Sequence, residues 1–199
     1  MKPSEIGQAY NQIPHLWENE DFNRNNGIKQ HERAIAFIGN RGKALDVGCG
    51  CTGRFIDLLL STGFDPEGID VSEEMVKLAR QRHPAIKFYQ QDICEWDVPH
   101  KYDFITAWDS IWHIPLNQQR IVLTKLISSL NANGVVIFSC GGTDNEGEHK
   151  NNYMGPDIYY SSLGINGFLK LFIELGCTCR HLEYDQYPEL HTYFIVQKA

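Results

Sequence analysis

Positive charge is scarce in this chain. Eighteen Lys and Arg stand against 25 Asp and Glu among 199 residues, a net charge of −7. Grip on a nucleic-acid backbone depends on clustered Lys and Arg. No basic run is present, so nucleic acid is not the expected partner. Long apolar runs are missing too, and without about eighteen such residues in a row no membrane-spanning helix is expected. The opening residues, Met1-Lys2-Pro3-Ser4-Glu5, lack the apolar stretch of a signal peptide. A cytoplasmic location is the expectation. Cys-x-x-Cys spacing is also absent. The six cysteines comprise the Cys-x-Cys pairs Cys49/Cys51 and Cys177/Cys179, plus the isolated Cys94 and Cys140. That pattern suits small apolar residues in and beside strands better than a zinc or thioredoxin-type centre. No metal site is expected.

The rest of the composition is ordinary for a globular chain, with 42% hydrophobic and 22% charged residues. A domain of this length buries roughly 70% of its unfolded surface, enough for stability without a disulfide or metal. No repeat, low-complexity tract or linker divides it, so 1–199 reads as one domain.

Strand and helix patterns alternate after residue 30. A helix around His31–Ile38 precedes a strand at Lys43–Val47, and another helix spans about Gly53–Ser61. A strand near Pro66–Ile69 is followed by Ser72-Glu73-Glu74, an N-cap with acids in the first helical turn. That helix runs to about Arg82. Further strands are expected at Ile86–Gln90, Tyr102–Trp108 and Val135–Cys140, with a helix over Pro115–Leu130. Such alternation predicts right-handed crossovers and a mostly parallel sheet covered on both faces. After a helix at Ile165–Leu175, strands at Thr178–Tyr184 and His191–Gln197 have only a short link, which makes them antiparallel neighbours. The fold class is therefore α/β, a three-layer αβα sandwich with a seven-stranded sheet and an antiparallel last strand. Two segments fall outside it. Residues 1–30 read as an N-terminal cap. Residues 141–163 read as a substrate lid, beginning with a long polar loop over Gly141–Gly155.

The most informative stretch is Leu45-Asp46-Val47-Gly48-Cys49-Gly50-Cys51-Thr52-Gly53, a buried strand that turns through glycines into a helix. Glycine accepts positive φ and leaves room for a ligand against the main chain. Twenty-two residues past Gly48, the run Gly68-Ile69-Asp70-Val71 ends in a carboxylate placed to accept from a ribose diol. Together they indicate a nucleoside-bearing cofactor. Gly48-x-Gly50-x-x-Gly53 also matches the dinucleotide fingerprint of an NAD-dependent oxidoreductase. Against that, Asp46 would repel a pyrophosphate, whereas it would welcome a ligand's ammonium group.

With Gly68-Ile69-Asp70-Val71-Ser72 and Gln90-Gln91-Asp92-Ile93 added, the chain from about residue 30 resembles a class I S-adenosylmethionine-dependent methyltransferase. One departure is the third glycine. It comes at Gly53, one residue later than in the family, and lengthens the turn at Cys51 and Thr52. The resemblance implies that S-adenosylmethionine is the cofactor, with Asp46, Gly48, Cys49 and Gly50 holding its methionine part. Asp70 would bind the ribose, Val71 and Met75 the adenine face. Asp92 and the Ile93 N–H would meet the adenine edge, and Ala107 or Trp108 would offer a carbonyl to the ammonium. Asn/Asp-Pro-Pro-Tyr/Phe does not follow the fourth strand, and that disfavours adenine or glutamine amide targets.

A small-molecule acceptor is thus expected, at the carboxyl ends of the strands. His113 and Asp109 are the acid–base candidates there. His113 can equally be structural, and Asp109 can instead orient the acceptor or cap the next helix, with capping the default reading. Tyr10, Trp17, Trp112, Tyr153, Tyr159, Tyr160 and His191, with His149, are the expected acceptor lining. Two alternatives remain besides the oxidoreductase. One is a non-catalytic S-adenosylmethionine-binding module. The other is metalloid methylation, which needs several of Cys49, Cys51, Cys94 and Cys140 at one mouth.

Overall fold

The computed structural model describes every residue, Met1–Ala199. Its helices are α1 (Pro3–Tyr10), α2 (His15–Glu18), α3 (Ile28–Ile35), α4 (Arg54–Ser61), α5 (Glu73–Arg82), α6 (Leu116–Ser128) and α7 (Ile165–Glu174). Its strands are β1 (Lys43–Val47), β2 (Asp65–Asp70), β3 (Lys87–Gln90), β4 (Tyr102–Ala107), β5 (Leu130–Gly141), β6 (Gly147–Asn151), β7 (Ile158–Ser162), β8 (Cys177–Glu183) and β9 (His191–Lys198).

Seven strands form one sheet in the order β3-β2-β1-β4-β5-β9-β8. The pairs from β3 to β5 are parallel, and β9 runs antiparallel to both β5 and β8. Side chains alternate across a strand, so each central strand feeds two cores. Ala44, Phe104, Val135, Ile137, Tyr193 and Ile195 pack with Phe55, Leu59 and Ala34 of α3 and α4. Leu45, Ile105, Val136, Phe138, Phe194 and Val196 pack with Leu123, Leu126, Phe168 and Phe172 of α6 and α7. Both faces are covered, as the apolar runs require.

Two expectations need correction. Gly141–Gly155 is not a long loop, because Gly147–Asn151 pairs antiparallel with Ile158–Ser162 as a separate hairpin. The strand expected to begin at Val135 begins at Leu130. Asn133 takes a left-handed φ of 62° within it, and the register against β4 shifts between Tyr102 and Phe104. The turn signal Asn133-Gly134 therefore marks a bulge.

The cap and the hairpin are one unit. Ile6, Ala9 and Ile13 form a small core with Ile158 and Tyr159. Asn11 then fixes the cap to the start of α5. Its Oδ1 accepts from Ser72 Oγ at 2.7 Å and from the Glu74 N–H at 3.1 Å, while Ser72 Oγ accepts from the Met75 N–H. Gly7 is required by this contact, since a Cβ there would sit 2.9 Å from the Val71 carbonyl oxygen.

Candidate functional site

A cavity of about 390 Å³ opens at the carboxyl ends of β1, β2 and β4, beneath the cap. Its floor is the glycine turn. Gly48 takes φ 71°, and a Cβ there would lie 2.3 Å from Ser110 Cβ, so that glycine is required by packing. Gly50 takes φ 55° with open space where its Cβ would be, so that glycine leaves the main chain bare toward the cavity. The turn is tied to β2. The Gly48 and Cys49 N–H groups donate to the Ile69 carbonyl, and the Gly50 N–H donates to Asp70 Oδ2 at 2.9 Å.

Asp70 also accepts from the Ser72 N–H at 2.9 Å. Burial nevertheless raises its pKa, although the Ser72, Gly50 and Val71 N–H groups act against that. Val71, Met75, Asp92 and Ile93 line the neighbouring wall. Asp92 does form a turn, accepting from the Cys94 N–H at 2.8 Å, but it faces the cavity as well. The Ile93 N–H and the Trp108 carbonyl have no hydrogen-bond partner within the chain. Both are main-chain groups left for a ligand.

Asp46 lies behind this wall rather than on it, only 2% exposed. No donor in the chain reaches its carboxyl group. Burial pushes its pKa up to about 7, with Arg54 lowering it and Asp70 raising it. A buried acid without a partner is costly, and a cation brought to it would be held strongly. Sequence reasoning assigned nothing to Arg54, yet its side chain is the one permanent cation on the cavity wall. Its Nε donates to the Asn26 carbonyl at 3.1 Å, and its guanidinium lies over Phe55. Position directly after the glycine turn was the available signal. The set fits an amino-acid-bearing nucleoside: an acid for an ammonium, a cation for a carboxylate, an acid at the ribose position and bare main-chain groups.

At the other end stand Asp109, Trp112, His113, Tyr160, Gln186 and His191, with Tyr10 and Trp17 descending from the cap. His113 has little freedom as a base. Its Nδ1 lies 2.8 Å from the Tyr159 carbonyl, which can only accept, so Nδ1 carries the proton. Its Nε2 then accepts from Tyr10 Oη at 2.7 Å and from Trp112 Nε1 at 3.0 Å. Burial pulls its pKa down to about 4, which keeps the ring neutral. Asp109 caps no helix. It holds a left-handed φ of 55°, its N–H donates to Ser139 Oγ, and its Oδ1 accepts from that hydroxyl at 3.1 Å and lies 3.1 Å from His191 Nε2.

Three expected lining residues lie elsewhere. Tyr153 is 92% exposed on the turn between β6 and β7, outside the cavity. Tyr159 is buried, and its hydroxyl bonds Glu148 and the Leu116 N–H while its carbonyl holds His113. It acts as structural support. His149 stacks on Tyr160 at 5.1 Å but stays off the wall. Of the cysteines, only Cys49 and Cys51 reach the cavity, and burial pushes the Cys51 thiol up to about 11. Cys94 and Cys140 do not converge with them.

Residues 44–134 match the family model of the methyltransferase domain. An uncharacterized methyltransferase of Alkaliphilus oremlandii is 25% identical over 195 residues, covering 87% of this chain and 89% of its own. Among solved structures, the 1,6-didemethyltoxoflavin-N1-methyltransferase of Burkholderia thailandensis superimposes with a TM-score of 0.75 at 17% identity, over 99% of this chain and 87% of its own. A S-adenosylmethionine-dependent methyltransferase of Clostridium acetobutylicum gives 0.72 at 15% identity, over 96% and 99%. At such identities the structural likeness establishes the fold.

Proposed function

We propose that the chain is a class I S-adenosylmethionine-dependent methyltransferase and that it methylates a small molecule held under the cap. The observation that carries this reading is the enclosure of the acceptor end. Tyr10 and Trp17 from the N-terminal segment and Tyr160 from the hairpin close over Trp112 and His191, leaving a pocket of molecular size. A net charge of −7 adds to the case against a polynucleotide acceptor.

S-adenosylmethionine supplies an activated sulfonium methyl group. The work left to this chain is binding, alignment and exclusion of water. The Trp108 carbonyl receives the ammonium, with Asp46 as the buried counter-charge behind it, and Arg54 receives the carboxylate. Asp70 accepts from the ribose hydroxyls. Val71 and Met75 pack on the adenine, while Asp92 and the Ile93 N–H meet its edge. Gly48, Cys49 and Gly50 provide the floor. Residues 1–30 and 141–163 serve together as the lid that keeps water out. Trp112, Tyr160 and Tyr10 give the acceptor an apolar, aromatic slot. The Burkholderia protein superimposed above holds 1,6-didemethyltoxoflavin and S-adenosylhomocysteine, which agrees with this choice of acceptor class.

The test is transfer of a tritiated methyl group from S-adenosylmethionine to separated fractions of a cell extract. Label in the low-molecular-weight fraction, lost with Asp70→Ala, is expected. Label confined to protein or nucleic acid contradicts the small-molecule reading.

A further inference from the structure

Behind the acceptor end of the cavity lies a chain of three ionisable side chains. Asp109 is on the cavity wall with its side chain one-third exposed. His191 stands behind it, with Nε2 at 3.1 Å from Asp109 Oδ1 and Nδ1 at 2.5 Å from Asp185 Oδ1. The Asp185 side chain is 5% exposed, and its Oδ2 accepts in turn from Gln30 Nε2 at 2.9 Å. The imidazole ring is flanked by Trp108 and Trp112, at centroid distances of 5.4 and 5.5 Å. Asp109 Oδ2 is the free end of the chain. Its nearest cation, Arg54, is 3.9 Å away. The left-handed backbone of Asp109 is strained in a residue that is not glycine. The surroundings hold it there nonetheless, with the side chain directed at both the cavity and His191.

We propose that Asp109, backed by His191 and Asp185, takes up the proton that the methyl acceptor loses. The acceptor is then a planar molecule whose reacting atom carries an O–H or a ring N–H. This inference rests on the methyl-transfer reading above and assigns the acceptor's chemistry.

A lone pair on the acceptor oxygen or nitrogen forms the bond to the methyl carbon, and the carbon–sulfur bond breaks with its pair remaining on sulfur. The O–H or N–H bond of the acceptor gives its electrons to the oxygen or nitrogen. Its proton passes to Asp109 and comes to rest between Asp109 and His191 Nε2. Asp185 keeps the other ring nitrogen, Nδ1, protonated, so in the reactive form, with His191 neutral above its raised pKa, Nε2 is the receiving position, and filling it from solvent at low pH removes the activity.

The charges around the pair are compatible with this role. Burial alone would pull the His191 pKa down. The hydrogen bonds and negative charges of Asp109 and Asp185 more than offset it, leaving the value raised. Arg54 from α4 is the opposing cation, while His31 from α3, His113 and Tyr10 are the other ionisable groups near Asp109. His113 and His31 are held neutral by burial and Tyr10 is held as the phenol, so they add no competing charge. His113 cannot substitute, because two donors already occupy its Nε2.

The experiment follows turnover of tritiated S-adenosylmethionine with three planar probe acceptors: catechol, 2-naphthol and benzimidazole. The pH is varied from 5.5 to 9.5, and S-adenosylhomocysteine affinity is measured for each variant. The wild type is expected to lose activity tenfold per pH unit on the acid side, with a break above the ordinary histidine value. Asp109→Asn should lower kcat about a hundredfold or more and remove that limb, with S-adenosylhomocysteine affinity retained. Asp185→Asn should move the break to lower pH, because it removes a negative charge that raises His191. A purely structural role would not shift the break. The proposal is overturned if Asp109→Asn keeps the limb and stays within a few-fold of wild type. It is also overturned if no probe is turned over by a protein that binds S-adenosylhomocysteine. Absence of S-adenosylhomocysteine binding by the wild type is a separate result, and it defeats the methyl-transfer reading itself.

Discussion

Tyr10 and His113, 103 residues apart in sequence, meet at 2.7 Å above the cavity. The phenol donates to an imidazole nitrogen whose ring is already oriented by the Tyr159 carbonyl. The N-terminal helix, the segment after β4 and the hairpin thus meet at one ring. Tyr10→Phe deletes this bond and keeps the packing on Trp17. A hydrogen bond of this kind is worth about 0.5–1.5 kcal/mol. Amide exchange in residues 3–10 should therefore accelerate about two- to tenfold, and S-adenosylhomocysteine should dissociate faster. Unchanged exchange in α1 would mean that the apolar contacts alone hold the cap.

Gly48 and Gly50 should respond differently to alanine. Gly48→Ala drives a Cβ into Ser110 and should destabilise the whole fold. Gly50→Ala meets no protein atom, so only its positive φ is strained, about 1–2 kcal/mol. Its methyl group projects into the cavity. S-adenosylmethionine affinity should fall tenfold or more while the melting temperature drops only a few degrees, as measured by calorimetry and thermal melts.

Binding should depend on pH through Asp46. With its pKa up at about 7 in the empty cavity, the acid is largely protonated below that pH. An ammonium group favours the carboxylate, so affinity should tighten up to tenfold per unit as pH rises toward 7 and then level off. Asp46→Asn should flatten that dependence. It should also weaken binding about thirtyfold or more, the scale for removing one partner of a buried charge pair. Isothermal titration at several pH values measures both.

Acid should unfold the protein partly through His31. The ring is fully buried, bonds the Gly27 carbonyl and Thr106 Oγ1, and has its pKa lowered to about 3 by burial. A histidine whose folded pKa is depressed contributes stability above its unfolded value of about 6.5. That contribution is lost as pH falls toward 3. His31→Asn will be less stable at pH 7. Between pH 6 and 4, however, its stability should fall less steeply than wild type by about 1.4 kcal/mol per pH unit, one proton's worth. Denaturant titrations across that range give the slopes.

The sheet was legible in the sequence because its strands are apolar, short and separated by turn residues. Six of the seven begin within a residue of their expected positions, such as Lys43–Val47 and His191–Lys198. The hairpin was hidden because all five residues of Gly147–Asn151 point no apolar face inward, and only pairing with Ile158–Ser162 makes them a strand. Around the cavity, Asp70 was legible from its spacing past the glycine turn, while Met75 and Asp92 came only from the resemblance to the methyltransferase family. Asp185 was not. Its role depends on a 2.5 Å contact with His191 across a turn, and no local pattern encodes that. His113 was legible as a position but not as a chemical state, because the Tyr10, Trp112 and Tyr159 groups that fix its protons are distant in sequence or on another element.

The most direct test of the account is calorimetric titration of the protein with S-adenosylmethionine, S-adenosylhomocysteine and NADH in parallel. The account predicts micromolar binding of the first two, weakened by Asp70→Ala, and no heat with NADH. Binding of NADH alone would contradict it and make the buried Asp46 beside the glycine turn the feature to be explained.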